Sequence, residues 1–193
     1  MYKKLFIFIS MLLALYANAY AKGIDKIYVH EKISFHVTCE NDSSINRLEI
    51  VTKGLVYNDT LVKEIDGTVS GIEVADLNND DSPEIYVFVT SAGSGSYGSL
   101  VAYSVNNKKS LSSIYLRELS SYKEISSAYM GHDKFSVNKN SLIREFPMYK
   151  QGDSNNSPSG GIRELHYKLV QGEASWILEL IAVEENERQK ESR

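Results

Sequence analysis

The chain has 193 residues, 42% of them apolar, 24% charged and 10% aromatic, the make-up of one globular domain with a real core and too short for two comfortable ones. Its 21 Lys and Arg face 25 Asp and Glu, a formal net charge of −4, so the basic footprint that a nucleic-acid binder needs is missing. With Cys39 as the one cysteine, an intrachain disulfide and a multi-cysteine zinc site are both excluded.

Residues 1–21 have the pattern of a cleaved signal peptide. Lys3 and Lys4 form a short positive region, Leu5 to Leu15 is apolar, and Ala17-Asn18-Ala19-Tyr20-Ala21 supplies small residues at the spacing a signal peptidase reads. Cleavage after Ala21 leaves 172 residues in which 19 bases face 25 acids, a net charge of −6. The apolar run is short for a span, and no later segment reaches the ~18 residues that a crossing helix requires. The expected product is therefore soluble and exported, without a membrane anchor. An acidic protein of this kind suits a basic partner, because complementary fields speed encounter.

Beyond the leader, period-2 alternation and short β-branched or aromatic runs predict strands at Lys26–His30, Ile33–Cys39, Ser44–Thr52, Leu61–Ile65 and Thr68–Ala75. Further strands are predicted at Glu84–Thr90, Leu100–Val105, Lys134–Val137, Ser141–Phe146, Arg163–Val170 and Ser175–Val183. Cys39 shares a face with Ile33, Phe35 and Val37, which makes it a small buried hydrophobe, with an intermolecular disulfide as the other reading. Asp66-Gly67 is a two-residue hairpin signal, and Asn106-Asn107 and Asn138-Lys139-Asn140 are weaker ones. Residues 118–129 allow one short helix without a clear apolar stripe. The segment 151–161, polar and rich in Ser, Asn and Gly, reads as a surface loop. Trp176 alternates with Leu178 and Leu180 and reads as core. The charged tail, residues 184–193, should fray. The implied architecture is a single all-β domain over residues 22–183, an antiparallel sandwich or barrel-like sheet with long hairpin loops.

Two loops carry chemistry. Asp76, Asn78, Asp80 and Glu84 follow a D-x-N-x-D-x-x-x-E spacing that offers oxygen ligands to a structural calcium ion. The same residues equally make an Asx-rich turn that caps its own backbone, and Asp81 stands where an EF-hand loop needs glycine. The second loop, Thr90 to Ser99, places Gly93, Gly95 and Gly98 in a GxGxxG pattern, but the pattern runs into a strand instead of the helix that a dinucleotide site requires. No serine has glycines two residues away on both sides, so a nucleophile elbow is absent. What remains is a loop of small residues with free N–H groups, the Ser94 and Ser96 hydroxyls and one large aromatic, Tyr97. Such a loop either enters a partner's cleft, where its donors meet anionic groups, or is a bare hairpin tip. The four histidines (His30, His36, His132, His166) show no paired metal spacing, and His132 between Gly131 and Asp133 reads as a turn residue. No acid–base pair or other catalytic set stands out, so an enzyme is not expected.

The stretch Gly71-Ile72-Glu73-Val74-Ala75-Asp76-Leu77-Asn78 through Pro83-Glu84-Ile85-Tyr86-Val87, then Ser91 to Leu100, resembles the bacterial periplasmic inhibitors of invertebrate-type (I-type) lysozyme. The likeness continues through Tyr129-Met130-Gly131-His132-Asp133, Arg144-Glu145-Phe146-Pro147 and Gly160-Gly161 to Trp176-Ile177-Leu178. The family's Ser-x-x-Tyr element falls on Ser94 and Tyr97. Inhibitors of chicken-type lysozyme carry a related loop with lysine before the tyrosine, where this chain has Ser96. The resemblance implies an all-β homodimer that places Gly93, Ser94, Gly95, Ser96, Tyr97 and Gly98 in the substrate groove of an I-type lysozyme, with no cofactor. The rival from another class is a calcium-dependent envelope module for a glycan or other surface ligand.

Overall fold

The computed structural model describes residues 23–186, so the expected leader lies outside the described residues. Strands β1 (Ile24–His30), β2 (Ile33–Cys39), β3 (Ile45–Lys53) and β4 (Thr60–Asp66) form a four-stranded antiparallel sheet in that order. The remaining eight form a second sheet: β5 (Thr68–Ala75), β6 (Glu84–Thr90), β7 (Gly98–Asn106), β8 (Ser110–Leu116), β9 (Lys134–Asn138), β10 (Ser141–Pro147), β11 (Ile162–Gln171) and β12 (Trp176–Asn186). Its spatial order is β5-β6-β7-β8-β12-β11-β10-β9, and the β8–β12 pairing is parallel, an exception to the antiparallel expectation. This sheet curls until its edges meet, where the Val137 N–H on β9 donates to the Glu73 carboxylate on β5 at 3.2 Å. The result is a nearly closed barrel with a side-chain seam.

Two apolar cores follow from the alternation. One lies between the sheets, where Phe35, Val37, Cys39, Leu48 and Ile50 meet Ile85, Val87 and Val89. The other fills the barrel with Tyr86, Phe88, Leu142, Phe146, Leu165, Tyr167 and Leu178. Strand β6 has one face in each core, which explains why Ile85-Tyr86-Val87-Phe88-Val89 reads as an unbroken apolar run instead of an alternating one. Cys39 is buried as expected, and burial raises its thiol pKa. Trp176 packs partly buried against the barrel core, its indole N–H donating to Asn106 Oδ1 at 3.1 Å.

The structure departs from the sequence expectations here at three points. Asp66-Gly67 does not close a hairpin, because β4 and β5 belong to different sheets. Gly67, at φ +122°, carries the chain across, with the Thr90 carbonyl 2.1 Å from where a Cβ would stand. Strand β8, Ser-rich and weakly alternating, gives little sequence signal and is an additional strand. The short helix expected within residues 118–129 is there, as one turn of α-helix, α1 (Lys123–Ser126), after a 3₁₀ turn at Leu119–Ser121. Strand β12 runs to Asn186, past the expected boundary at Val183, because β11 offers Ile162, Arg163 and Glu164 as ladder partners there. The Asn107–Lys109 and Lys139-Asn140 turns do join hairpins, with Lys139 at φ 49°. Among the described residues no helix is long and apolar enough to cross a membrane.

Candidate functional site

The loop between β6 and β7, residues 91–97, stands at one end of the barrel. Ser94 is exposed and Tyr97 is 50% exposed. The base of the loop is closed locally: Ser91 N–H donates to the Tyr97 carbonyl at 2.9 Å, and Tyr97 N–H donates to Ser91 Oγ at 2.9 Å. Ser96 N–H donates to the Gly93 carbonyl at 3.3 Å, with Ser96 in the left-handed region at φ 44°.

The rest of its shape is imposed from elsewhere in the chain. His132 N–H donates to the Gly95 carbonyl at 2.8 Å and to the Ser96 carbonyl at 3.2 Å. The Asn155 side-chain amide donates to the Ser94 carbonyl, and Tyr149 OH holds the Asn155 carbonyl at 2.7 Å. Gly131, at φ +92°, passes so near the loop that a Cβ there would lie 1.9 Å from the Gly95 carbonyl oxygen. That contact tolerates glycine alone.

Beneath the loop is a buried charged anchor. Arg144 Nε donates to Asp133 Oδ1 at 2.7 Å, with side-chain exposures of 6% and 0%. Asp133 Oδ2 accepts the Gly98 N–H at 2.7 Å and the Tyr129 hydroxyl at 2.5 Å, and Arg144 Nη2 reaches the Tyr129 oxygen at 2.9 Å and the Gly98 carbonyl at 3.4 Å. These bonds tie the loop's exit strand to its neighbours. The Arg144 guanidinium also stands 5.3 Å over the rings of Tyr129 and Phe135. Burial, and then the bond to Asp133, push the Tyr129 phenol pKa well up. Tyr129 in turn meets the Tyr97 ring edge-on at 5.6 Å, so the aromatic side of Tyr97 is braced while its exposed side is free for contact.

The structure places Gly93, Ser94, Gly95, Ser96 and Tyr97 on the β6–β7 loop and Gly98 at the first position of β7. It adds Tyr129, Gly131, His132, Asp133, Arg144 and Asn155, which shape that loop. His132 is a turn residue as read, at φ 60°, and its backbone N–H is what matters. One signal pointed to Arg144: in Leu142-Ile143-Arg144-Glu145-Phe146 it occupies the inward register of Leu142 and Phe146.

At the opposite end of β6, the turn between β5 and β6 brings the carboxylates of Asp76, Asp80 and Glu84 within 4.8 Å of one another. Those oxygens are engaged by the backbone. Asp76 accepts from the N–H groups of Asp80 (3.1 Å) and Asp81 (3.0 Å), Asp80 from Ser82 (2.9 Å), and Glu84 from Leu77 (2.7 Å). Asn78 bonds within the turn, accepting from Asp80 N–H at 3.2 Å and donating to Asp80 Oδ2 at 3.0 Å. Glu84 is fully buried, and desolvation pushes its pKa up to about 8. The self-capping turn accounts for all four residues.

The fold and this loop together define a class: an all-β domain that presents a shaped, hydroxyl-bearing loop at one end of a barrel. Residues 49–126 match the family model described as periplasmic lysozyme inhibitor of I-type lysozyme. The matched stretch includes both loops of β6 and stops before Tyr129. No curated protein matches the chain.

Proposed function

We propose that the chain is exported by the leader over residues 1–21 and inhibits I-type lysozyme by inserting the Ser94–Tyr97 loop into the substrate groove. The observation that carries this reading is the loop itself, with an exposed polar tip on a frame fixed by His132, Asp133 and Asn155. Glycoside hydrolysis uses a carboxylic acid and a carboxylate on either side of the scissile bond. The Ser94 and Tyr97 hydroxyls are donors of the kind those carboxyl groups accept, and a loop filling the groove excludes the sugar. A pre-shaped loop loses little conformational entropy on docking, so more of each contact appears as affinity. Tyr97 adds rigid contact area at two torsions' cost. The acidic charge of the mature chain steers a basic lysozyme toward it.

The test is a cell-wall clearing assay with I-type, chicken-type and goose-type lysozymes run in parallel against the purified mature chain and its Ser94→Ala/Tyr97→Ala variant. Each truncation at a central contact removes on the order of 1–4 kcal/mol. The variant should keep its circular dichroism and lose inhibition of I-type lysozyme by about a hundredfold or more. Undiminished inhibition by the double variant would overturn the loop mechanism.

A further inference from the structure

We propose that the loop from Asp153 to Ser159 is a second lysozyme-contacting element, whose exposed Ser154, Asn156 and Ser157 meet the rim of the substrate groove beside the inserted tip and set which lysozyme is inhibited. This rests on the inhibitor reading above and extends it to a part of the chain outside the matched residues 49–126.

The first ground is position. The Asn155 side-chain amide donates to the Ser94 carbonyl, so two loops 61 residues apart in the chain touch at the tip itself. The Asn155 side-chain oxygen is 3.3 Å from His132 Nε2, and the His132 ring stacks on Tyr149 with centroids 6.5 Å apart. Ser154 and Asn156 flank Asn155 and are exposed, as is Ser157. Neighbouring Cα atoms are ~3.8 Å apart, so a surface that covers Ser94 comes within a side chain's reach of these residues.

The second ground is rigidity. Met148 N–H donates to the Gly161 carbonyl at 2.9 Å and Gly160 N–H to the Met148 carbonyl at 2.8 Å, which closes the loop's base. Asp153 fills its interior. Oδ2 accepts the N–H groups of Lys150 at 2.7 Å and Ser159 at 2.8 Å, and Oδ1 accepts the Ser159 hydroxyl at 2.8 Å. Ser157 N–H donates to the Ser154 carbonyl at 2.9 Å, and the Tyr149 hydroxyl to the Asn155 carbonyl at 2.7 Å. Asp153 is the one charged residue of segment 151–161, so with its carboxylate turned inward the outer side of the loop is neutral. A segment this polar and this ordered beforehand docks with little further loss of entropy.

The third ground is chemistry. A lysozyme groove binds N-acetylated sugars, so its walls hold partners for hydroxyl and amide groups. Ser154 and Ser157 supply hydroxyls and Asn156 a primary amide, the same donor and acceptor types. Ser154 Oγ donates to Asn156 Oδ1 at 2.8 Å, which leaves Asn156 Nδ2 without a partner among the described residues. The tip aims at carboxyl groups that glycoside hydrolysis itself requires, whereas the chemistry fixes no residue of the groove's walls. Discrimination between lysozymes therefore falls to the element that meets the walls. In the sequence this stretch is an ordinary polar loop, and only the Asn155 bond to Ser94 gives it a place beside the tip.

The test pairs inhibition assays on two I-type lysozymes of differing groove sequence with amide hydrogen exchange of the mature chain, free and lysozyme-bound. Asn156→Ala/Ser157→Ala should keep the circular dichroism and melting temperature of wild type and raise the inhibition constant by about tenfold, the size of a moderate interface truncation. Asn156→Trp, an obstruction at an exposed position, should raise it further. The rim variants should change the ratio of the two inhibition constants, whereas Ser94→Ala should weaken both alike. Exchange over residues 153–159 should slow in the complex, and exchange over the Asp76–Pro83 turn at the far end should not. Wild-type inhibition by both rim variants would overturn the contact and leave the tip mechanism standing, as would unchanged exchange over residues 153–159. A constant ratio would overturn the assignment of specificity. A wild-type chain that inhibits neither lysozyme would overturn this inference together with the reading beneath it.

Discussion

The two connections at the ends of β6 are both polar and both rich in residues that favour turns, yet they are shaped by opposite means. The Asp76–Pro83 turn is built from within: its carboxylates cap N–H groups two to five residues away, and Glu84 seals it from the next strand. The Ser91–Tyr97 loop closes its base locally but takes its shape from His132, Asp133 and Asn155, which lie 35 to 61 residues away along the chain. A turn that satisfies itself has nothing left to offer a partner. A loop held from behind keeps its side chains facing outward.

The largest effect expected from breaking this contrast lies in the anchor. Arg144→Met leaves Asp133 buried without its cation, a change that costs about 3–5 kcal/mol in comparable ion pairs. Urea unfolding should show that loss, and lysozyme inhibition should fall with it because Gly98 N–H and Tyr129 both depend on Asp133. Unchanged stability would mean that the anchor contributes nothing.

At the other end of β6, Glu84 has a carboxyl pKa raised by burial to about 8 from an ordinary 4.5. The folded chain therefore holds this proton more tightly than the unfolded chain does. Its stabilising contribution is full below pH 4.5 and is lost as pH rises through 8, a difference on the order of 4 kcal/mol. Glu84→Gln removes the slope, so the stability gap between variant and wild type should widen from pH 4.5 to pH 8.5 in parallel urea titrations. A gap that stays flat would show that Glu84 ionises normally.

The smallest effect, and the most selective, is Gly131→Ala. A side chain at φ +92° and against the Gly95 carbonyl costs about 1–3 kcal/mol of strain, relieved by moving the loop. Inhibition should drop by about tenfold or more while the melting transition shifts only modestly. Equal losses in both would make Gly131 a general stability residue.

What the sequence disclosed and what it hid divide along the same line. The strands Ile33–Cys39, Thr68–Ala75 and Glu84–Thr90 were legible because each carries its own burial pattern, and the acidic turn was legible because its bonds are local. The Ser94–Tyr97 loop stood out by composition, but its supports did not. Arg144 and Asp133 acquire meaning only when β10 and the segment before β9 pass beneath β7, and nothing in either stretch specifies that encounter. Asp66-Gly67 misled for a related reason. Its turn chemistry is that of a hairpin, and only the choice of a different sheet for β5 decides otherwise.

Strand β6 has one face in each apolar core. A party wall of this sort ties two rooms to one foundation. Loosening either core withdraws support from the other, so the four-stranded sheet and the barrel should melt as one cooperative unit. Both connections of β6 hang from that wall, and a single well-packed strand keeps the loop's two feet at a constant spacing.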